Sequence, residues 1–173
     1  MEAVEYRKDN FLISTDPARI DLAVVHAYLS RSYWAKGIPL SLVKKSIEHS
    51  LCFGVYDEGS GAQVGFARVV SDYATYSYLA DVFVLEEYRG RGLSKWLMHC
   101  ILDHPDLQMP RTFFLATRDA HGLYSQFGFA AVDAPERFMS RRNPNVFRNG
   151  EYVVMTTIDG EGDYETTDQN KGS

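Results

Sequence analysis

Apolar side chains first form an extended run and then recur at helical spacing near the start of the chain. Residues 5–15 are apolar enough in their later part to predict a strand. Residues 15–30 and 40–50 repeat apolar positions every three to four residues, which predicts two helices. Asp16 can cap a helix, and Pro17 suits a first helical position because its missing N–H is not needed there. We therefore expect the first helix to begin at these two residues.

The period of the pattern changes to two in the middle of the chain. Three stretches alternate in this way and predict strands, at 51–57, 62–72 and 75–85. The glycine-rich sequence EGSG between the first two favours a hairpin turn. Later stretches predict a helix, a strand and a short helix that ends at Gly128, at 92–104, 111–117 and 119–129. The strand at 111–117 is almost continuously apolar, which is typical of a central strand buried on both faces.

The order of these elements predicts an α/β fold, more narrowly an α+β arrangement around a mixed sheet. The early strands pair antiparallel, and the helix at 92–104 crosses over from strand 75–85 to a parallel neighbour. A last strand is predicted at 151–159, where it could pair across the interface of a homodimer. We expect one domain over residues 1–158, followed by a polar, disordered tail over 159–173.

Composition and charge narrow the choice of partners. Hydrophobic residues make up 45% of the chain, which suits a packed core, and the net charge of -5 gives no reason to expect nucleic acid or an acidic membrane. No apolar run approaches the roughly 20 residues that span a bilayer. Cys52 and Cys100 lie in apolar runs and predict buried thiols, so we expect a reducing, cytoplasmic setting. The five histidines show no metal-ligand spacing, which predicts no metal.

Two glycines set among two arginines stand where the third alternating strand becomes a helix. Small residues expose successive backbone N–H groups, and a helix begins with the positive end of its dipole, so this segment predicts a pyrophosphate-sized anion site. The spacing argues against a P-loop, because Gly90 and Gly92 are only two positions apart and Lys95 follows a serine. A dinucleotide fingerprint also fits poorly, since Lys95 holds the place of its third glycine.

Two motifs resemble those of the GNAT acyltransferase superfamily. The family loop R/Q-x-x-G-x-G/A is matched by Arg89, Gly90, Arg91, Gly92, Leu93 and Ser94. Gly92 takes the required glycine, and Ser94 replaces the usual Gly or Ala with another compact residue. The later family segment A/L-x-Y-x-x-x-G-F is matched by GLYSQFGF, in which the marked places are held by Tyr124, Gly128 and Phe129. The resemblance covers about residues 4–158 and implies a mixed sheet of six to seven strands flanked by about four helices.

The resemblance also implies a reaction, the transfer of an acetyl group from acetyl-CoA to a primary amine. The loop at 89–94 would hold the pyrophosphate of the co-substrate, and the main chain of the preceding strand would bind its pantetheine arm through Val82, Phe83 and Val84. The amide of Val82 would polarise the thioester carbonyl. Tyr124 would act as the general acid that protonates the departing thiolate, because a phenol stays protonated at neutral pH.

The acceptor side of the site is less closely specified by the resemblance. Asp81 is the only carboxylate in strand 75–85 and is our candidate for a base or an acceptor-binding group, with a structural pairing to an arginine as the alternative. Strand alternation places it on the face opposite Tyr78 unless a bulge turns it. In the superfamily the two early helices and their connection form one wall of the acceptor site. Tyr33 and Trp34 in that connection predict an aromatic wall for a small-molecule or peptide amine, with core packing as the alternative.

Three functions are compatible with these motifs. The favoured one is an acetyl-CoA-dependent N-acetyltransferase that works by direct attack in a ternary complex. The second is a GNAT-like sensor or scaffold that holds acyl-CoA without turnover. The third is a nucleotide-dependent transferase that uses the loop for ATP, and the sequence offers neither a Walker-type lysine nor an acidic metal motif for it.

Overall fold

The computed structural model describes residues 2–141 and two short strands, Phe147–Arg148 and Glu151–Tyr152, which pair with each other. Its core is a six-stranded sheet in sequential order, with every pair antiparallel except the last. The six strands are β1 Glu5–Lys8, β2 Phe11–Ser14, β3 Leu51–Asp57, β4 Gln63–Ser71, β5 Tyr76–Val84 and β6 Thr112–Leu115. The helices are α1 Leu22–Leu29, α2 Leu40–Glu48, α3 Leu93–Leu102 and α4 His121–Tyr124. A mixed sheet with four helices confirms the predicted fold class.

Helices cover both faces of the sheet, and adjacent residues of β3 show how the layers are divided. Phe53 points to one side, where its cluster includes Leu97 and Ile101 of α3. Cys52 points to the other side, where its cluster includes Val43 of α2. All these side chains are buried, as period-two alternation in a strand with two covered faces requires. The predicted burial of both cysteines is confirmed.

The start of the chain differs from the prediction in two places. The strand predicted over 5–15 is a hairpin of β1 and β2, which turns at Asp9, a residue with a φ of 53°. The helix predicted over 15–30 is divided, because Asp16 caps only a single 3-10 turn. Asp21 then accepts hydrogen bonds from two amides of the next turn and begins α1. Both aspartates are capping residues, and the sequence pattern does not rank one above the other.

The prediction that 111–117 is a central strand buried on both faces was wrong. In the part of the chain that the structure describes, β6 is the last strand of the six-stranded sheet, and its four residues are only partly buried. Of its two aromatic residues, Phe113 packs against the core on the α3 side, and Phe114 forms part of a surface strip described below. Most of the strand predicted at 151–159, and the tail predicted at 159–173, lie outside the described residues. No helix among the described residues is long and apolar enough to cross a membrane.

Candidate active site

The central feature of the candidate site is the place where β5 and β6 part. These two strands pair in parallel only from Tyr76 to Leu79 on β5. From Ala80 to Val84, β5 pairs with β4 on one side and, among the described residues, with no strand on the other. The connection after β6 and helix α4 form the opposite wall. This parting leaves a stretch of strand edge open to a ligand.

A β-bulge at Asp81 changes which way its side chain points. Phe66 of β4 pairs with Phe83 of β5, and Arg68 pairs with Ala80. The single β4 residue between them, Ala67, therefore lies opposite two residues of β5, Asp81 and Val82. Asp81 has a φ of 54°, in the left-handed region that aspartate tolerates better than most residues. Simple alternation would place Asp81 on the face opposite Tyr78. The bulge instead brings it into a cavity that Tyr78 also lines.

Both oxygens of the Asp81 carboxylate are already bound by donors from two other elements. Nε of Arg68 donates to Oδ2 at 2.5 Å, and Nε1 of Trp34 donates to Oδ1 at 3.0 Å. The side chain of Asp81 is only 10% exposed and that of Arg68 is 20% exposed. Arg68 also donates to Oγ of Ser50 at 3.3 Å. The carboxylate is therefore held in one orientation at the lining of the cavity.

The connection between α1 and α2 supplies one wall of this cavity, which has a volume of about 980 Å³. The rings of Tyr33 and Trp34 lie edge to face, with centroids 4.9 Å apart. The guanidinium of Arg118 lies 3.8 Å from the centroid of the Tyr33 ring, and the Tyr33 hydroxyl accepts a hydrogen bond from the Arg118 amide. Both aromatic residues are more than 40% exposed, so they serve as a wall of the cavity rather than as core.

Tyr124 lies in the same cavity, at the end of α4. Its side chain is buried, and its ring packs edge to face against Phe129 with centroids 6.0 Å apart. Among the described residues no hydrogen bond uses its hydroxyl, and the hydroxyl of Tyr33, which lines the same cavity, bonds to Asp119 and to the Arg118 amide instead. Burial, followed by the nearby Tyr33 and Asp119, raises the pKa of Tyr124 to about 12. The hydroxyl is therefore protonated at neutral pH and free to donate into the cavity.

The glycine loop forms a second opening further along the same edge of β5. Gly90 and Gly92 both have a φ of 77°, and a Cβ on either would project into open space. Gly92 is the N-cap of α3 and has no side chain to bind the first amides of the helix. The groove has a volume of about 510 Å³ and is lined by Val84, Arg89, Ser94 and Lys95 among others. A phosphate group suits such a helix N-terminus.

The sequence-predicted site residues fall into these two neighbouring openings, with two exceptions. Tyr33, Trp34, Asp81, Val82 and Tyr124 line the first, and Val84, Arg89, Gly90, Gly92, Leu93 and Ser94 line the second. The side chain of Phe83 is buried and stacks on Tyr28 at 3.9 Å, so only its backbone is available to a ligand. The guanidinium of Arg91 lies 5.0 Å from the centroid of the Tyr88 ring, outside the lining of the groove.

Sequence analysis missed several residues of the site. Arg68 binds Asp81, Arg118 covers Tyr33, and Lys95 lines the glycine groove. Arg68 could have been found from the pattern, because it is a charged residue on the helix-covered face of a strand whose neighbours are apolar. Residues 2–141 contain no cluster of three or more histidine, cysteine, aspartate or glutamate side chains placed to hold a metal ion.

Comparison with known proteins decides the family. The sequence profile of the acetyltransferase (GNAT) domain matches residues 48–131, which include Asp81, the glycine loop and Tyr124. A candidate acetyltransferase of the GNAT family from Xanthomonas campestris pv. campestris is 51% identical. Its crystal structure aligns with 82% of this chain and 99% of that chain, with a TM-score of 0.77. The chain belongs to the GNAT acetyltransferase family.

Two further relatives extend this comparison. A candidate acetyltransferase of Gibberella zeae is 30% identical over 114 residues, and the match covers 56% of this chain and 64% of that protein, slightly under two thirds of its length. A candidate acetyltransferase from Clostridium acetobutylicum, solved with acetyl-CoA, shares the fold at 12% identity and a TM-score of 0.57, over 77% of this chain and 95% of that chain. GNAT proteins use acetyl-CoA, and family membership supports an acyltransferase activity for this chain.

Proposed function

We propose that this chain is an N-acetyltransferase that transfers the acetyl group of acetyl-CoA directly to a primary amine, with Tyr124 as the general acid. One observation carries the proposal. The open edge of β5 runs from the cavity that holds Asp81 and Tyr124, past Val82 and Val84, to the glycine groove. A long, thin molecule with an anionic end and a reactive end fits an edge with these two openings.

The glycine groove suits the pyrophosphate end of such a molecule. The first amides of α3 lie at the positive end of the helix dipole, where a helix leaves its first N–H groups without acceptors of its own, and the N-cap Gly92 supplies no side chain to bind them. Lys95 and Arg89 add positive charge beside them. Arg89 also donates from Nε to the carbonyl of Val84 at 3.2 Å, which fixes the end of β5 against the loop.

The cavity suits the acyl end. When bound there, acetyl-CoA supplies an activated thioester. The amide of Val82 is our candidate for the group that polarises the thioester carbonyl, because Val82 follows the bulge and lines the cavity. The Tyr124 hydroxyl, which is protonated and has its proton free for donation, is our candidate for the group that protonates the leaving sulfur.

The acceptor amine would enter from the side of Trp34 and Asp81. A primary amine with a pKa of about 10.4 arrives at neutral pH as an ammonium ion. The oriented carboxylate of Asp81 attracts this positive charge. The exposed rings of Tyr33 and Trp34 add favourable cation–π contacts beside it. The ammonium group must then lose a proton to a base or a water chain before it can attack. Both oxygens of Asp81 already accept hydrogen bonds, from Arg68 and from Trp34. We therefore assign Asp81 first to binding the acceptor.

The acceptor is proposed to be a small-molecule or peptide amine, and the setting a reducing, cytoplasmic one. Cys52 and Cys100 support the second point, because they are free thiols in clusters on opposite faces of the sheet.

The experiment that tests the proposed function measures thiol release from acetyl-CoA in the presence of a panel of primary amines. Thiol released in step with acetylated amine, identified by mass spectrometry, is the expected result. Binding of acetyl-CoA with no amine acetylated across the panel would instead favour the second function, a sensor or scaffold that holds acyl-CoA. Preferential binding of Mg-ATP over acetyl-CoA would favour a nucleotide-dependent transferase.

A further inference from the structure

An exposed strip of apolar side chains crosses the end of the sheet on the face that α1 and α2 cover elsewhere. Val70 of β4 is the register partner of Tyr78 in β5, and Tyr78 is the register partner of Phe114 in β6. The three residues therefore lie in one row across three strands, on the same face of the sheet. Tyr76 lies on the same face two residues before Tyr78. We call Val70, Tyr76, Tyr78, Phe114 and Phe138 the aromatic strip.

Ring contacts join the aromatic strip into one surface. The rings of Tyr76 and Phe114 stack with centroids 5.1 Å apart and an angle of 24° between their planes. Phe138 packs against Phe114 at 5.3 Å. Val70, Tyr76 and Phe138 are nevertheless between 42% and 53% exposed. Large apolar side chains that are joined in this way and still exposed are typical of a binding surface.

The aromatic strip is continuous with the cavity of the candidate active site. Tyr78 belongs to both, and the next row of the same face contains Arg68 and Ala80, which also line the cavity. At about 3.3 Å for each residue of a strand, Tyr78 lies about 10 Å from Asp81 along β5. Asp81, one of the two carboxylates that line the cavity within residues 2–141, is therefore about one short carbon chain away from an aromatic platform.

We propose that the aromatic strip is the specificity subsite for the acceptor, and that it selects primary amines that carry an aromatic ring on a short carbon chain. This inference rests on the proposed function. The ammonium group lies against Asp81, and the ring lies over Tyr78 and Phe114. Aromatic rings favour offset or edge-to-face contacts with one another. The aromatic strip offers both kinds of contact to a further ring, because Tyr76 lies stacked on Phe114 and Phe138 lies edge to face against it. A butyl chain without a ring reaches the cavity but leaves the aromatic strip uncovered.

The experiment is a calorimetric titration of phenylbutylamine and of butylamine into protein saturated with coenzyme A, which cannot react. We expect phenylbutylamine to bind at least about tenfold more tightly, the size of effect that one apolar group produces in a fitted pocket. Tyr76→Ser and Phe114→Ala should reduce this ratio towards one while leaving the affinity for butylamine unchanged, because neither residue lines the cavity. Tyr76→Ser should disturb folding least, because Tyr76 is 45% exposed. Met109→Ala, at a residue 75% exposed and outside both openings, is the control.

Each outcome decides the inference. Equal affinity for the two amines, no detectable binding of phenylbutylamine, or a preference that both variants keep would overturn it. A dimer in light scattering that Tyr76→Ser dissociates, together with equal affinities, would assign the aromatic strip to a second copy of the chain. Acetyl transfer to amines without a preference for phenylbutylamine over butylamine would contradict the role of the aromatic strip and leave the proposed function standing. Tight aryl binding without acetyl transfer to any amine would remove the proposed function and leave the subsite.

Discussion

The indole Nε1 of Trp34 donates a hydrogen bond to Oδ1 of Asp81 at 3.0 Å. This bond joins the connection between α1 and α2 to the bulge in β5, two parts of the chain 47 residues apart in sequence. Arg68 occupies the second oxygen from β4. The carboxylate is therefore oriented from both sides, and the wall of the candidate acceptor site is tied to the strand that would carry the acyl group.

Replacing Trp34 by phenylalanine tests this tie. The change keeps an aromatic wall but removes the donor to Asp81, and hydrogen bonds to charged groups contribute about 1.5–3 kcal/mol. We expect KM for the amine to rise about tenfold or more, with the Kd of acetyl-CoA unchanged. Trp96→Phe is the matched control, because Trp96 is a half-buried residue of α3 that packs against the core and lies outside both openings. An amine KM equal to that of the wild type would contradict the role assigned to Trp34.

The buried ion pair between Arg68 and Asp81 should couple strongly in a double-mutant cycle. Arg68→Met alone leaves the poorly exposed Asp81 carboxylate without its counter-charge and should lower the free energy of unfolding by about 3 kcal/mol. Combining it with Asp81→Asn should lower it by less than the sum of the single changes, with a coupling of about 1–3 kcal/mol.

Urea unfolding measures each variant of this cycle. The exposed pair of Arg7 and Glu5, with side chains 57% and 32% exposed, provides the control cycle and should couple by no more than about 1 kcal/mol. Additive effects of Arg68→Met and Asp81→Asn would show that the pair does not act as a unit.

Stability should fall in alkaline solution because several buried acids keep their protons in the folded state. Burial raises the pKa of the Cys52 and Cys100 thiols from 9.0 to about 12, and that of Tyr124 from 10.0 to about 12. Above about pH 9 the unfolded chain releases protons that the folded chain retains. The free energy of unfolding is therefore expected to be insensitive to these groups below pH 9 and to decrease up to about pH 12.

Urea unfolding at a series of alkaline pH values measures this decrease. Cys52→Ala removes one of the contributing thiols, so its slope with pH should be shallower than that of the wild type. A free energy of unfolding that stays level or rises over this range would contradict the pKa shifts and the burial behind them.

Tyr124→Phe should lower kcat by about 10²–10⁴-fold, the range expected for the loss of a general acid. Binding of acetyl-CoA should stay within experimental error of the wild type, since the ring and its packing on Phe129 are retained. Tyr6→Phe is the matched control, because it likewise removes only a tyrosine hydroxyl, and Tyr6 lies outside both openings. Unchanged turnover in Tyr124→Phe would remove this residue from its proposed role.

The pH profile provides a second check on Tyr124. With a pKa of about 12, its hydroxyl remains protonated across the range in which the enzyme can be assayed. Turnover should therefore rise with pH as the amine loses its proton and show no fall caused by Tyr124 below about pH 10. A falling limb near neutral pH that disappears in Tyr124→Phe would show that its pKa is far lower than burial implies.

The parts of the fold that the sequence predicted are those set by local pattern. Alternation identified β3, β4 and β5, and helical spacing identified α2 and α3 within a few residues. Gly128 ends its helix with a φ of 82°, as predicted from glycine's tolerance of that conformation. The motifs around Gly92 and Tyr124 are contiguous, so they were visible without any knowledge of how the strands pair.

The features that were missed depend on contacts between distant segments. The bulge at Asp81 arises from its pairing with β4 and has no signal in the sequence of β5 itself. The orientation of its carboxylate depends on Arg68 and Trp34, which lie 13 and 47 residues away. The prediction for β6 failed for a similar reason, because Phe114 belongs to an exposed row that forms only when β4, β5 and β6 pair, and such a row is as apolar in sequence as one inside a core.

The most direct test of the central claim is a calorimetric titration of acetyl-CoA into the wild type and a Gly92→Glu variant. Gly61→Glu is the matched control, because Gly61 has a φ of 74° and open space around its Cβ but lies in the turn between β3 and β4. We expect the wild type and Gly61→Glu to bind acetyl-CoA with the same affinity and Gly92→Glu not to bind it. Absence of binding to the wild type, or equal binding by Gly92→Glu, would contradict the placement of acetyl-CoA in this groove.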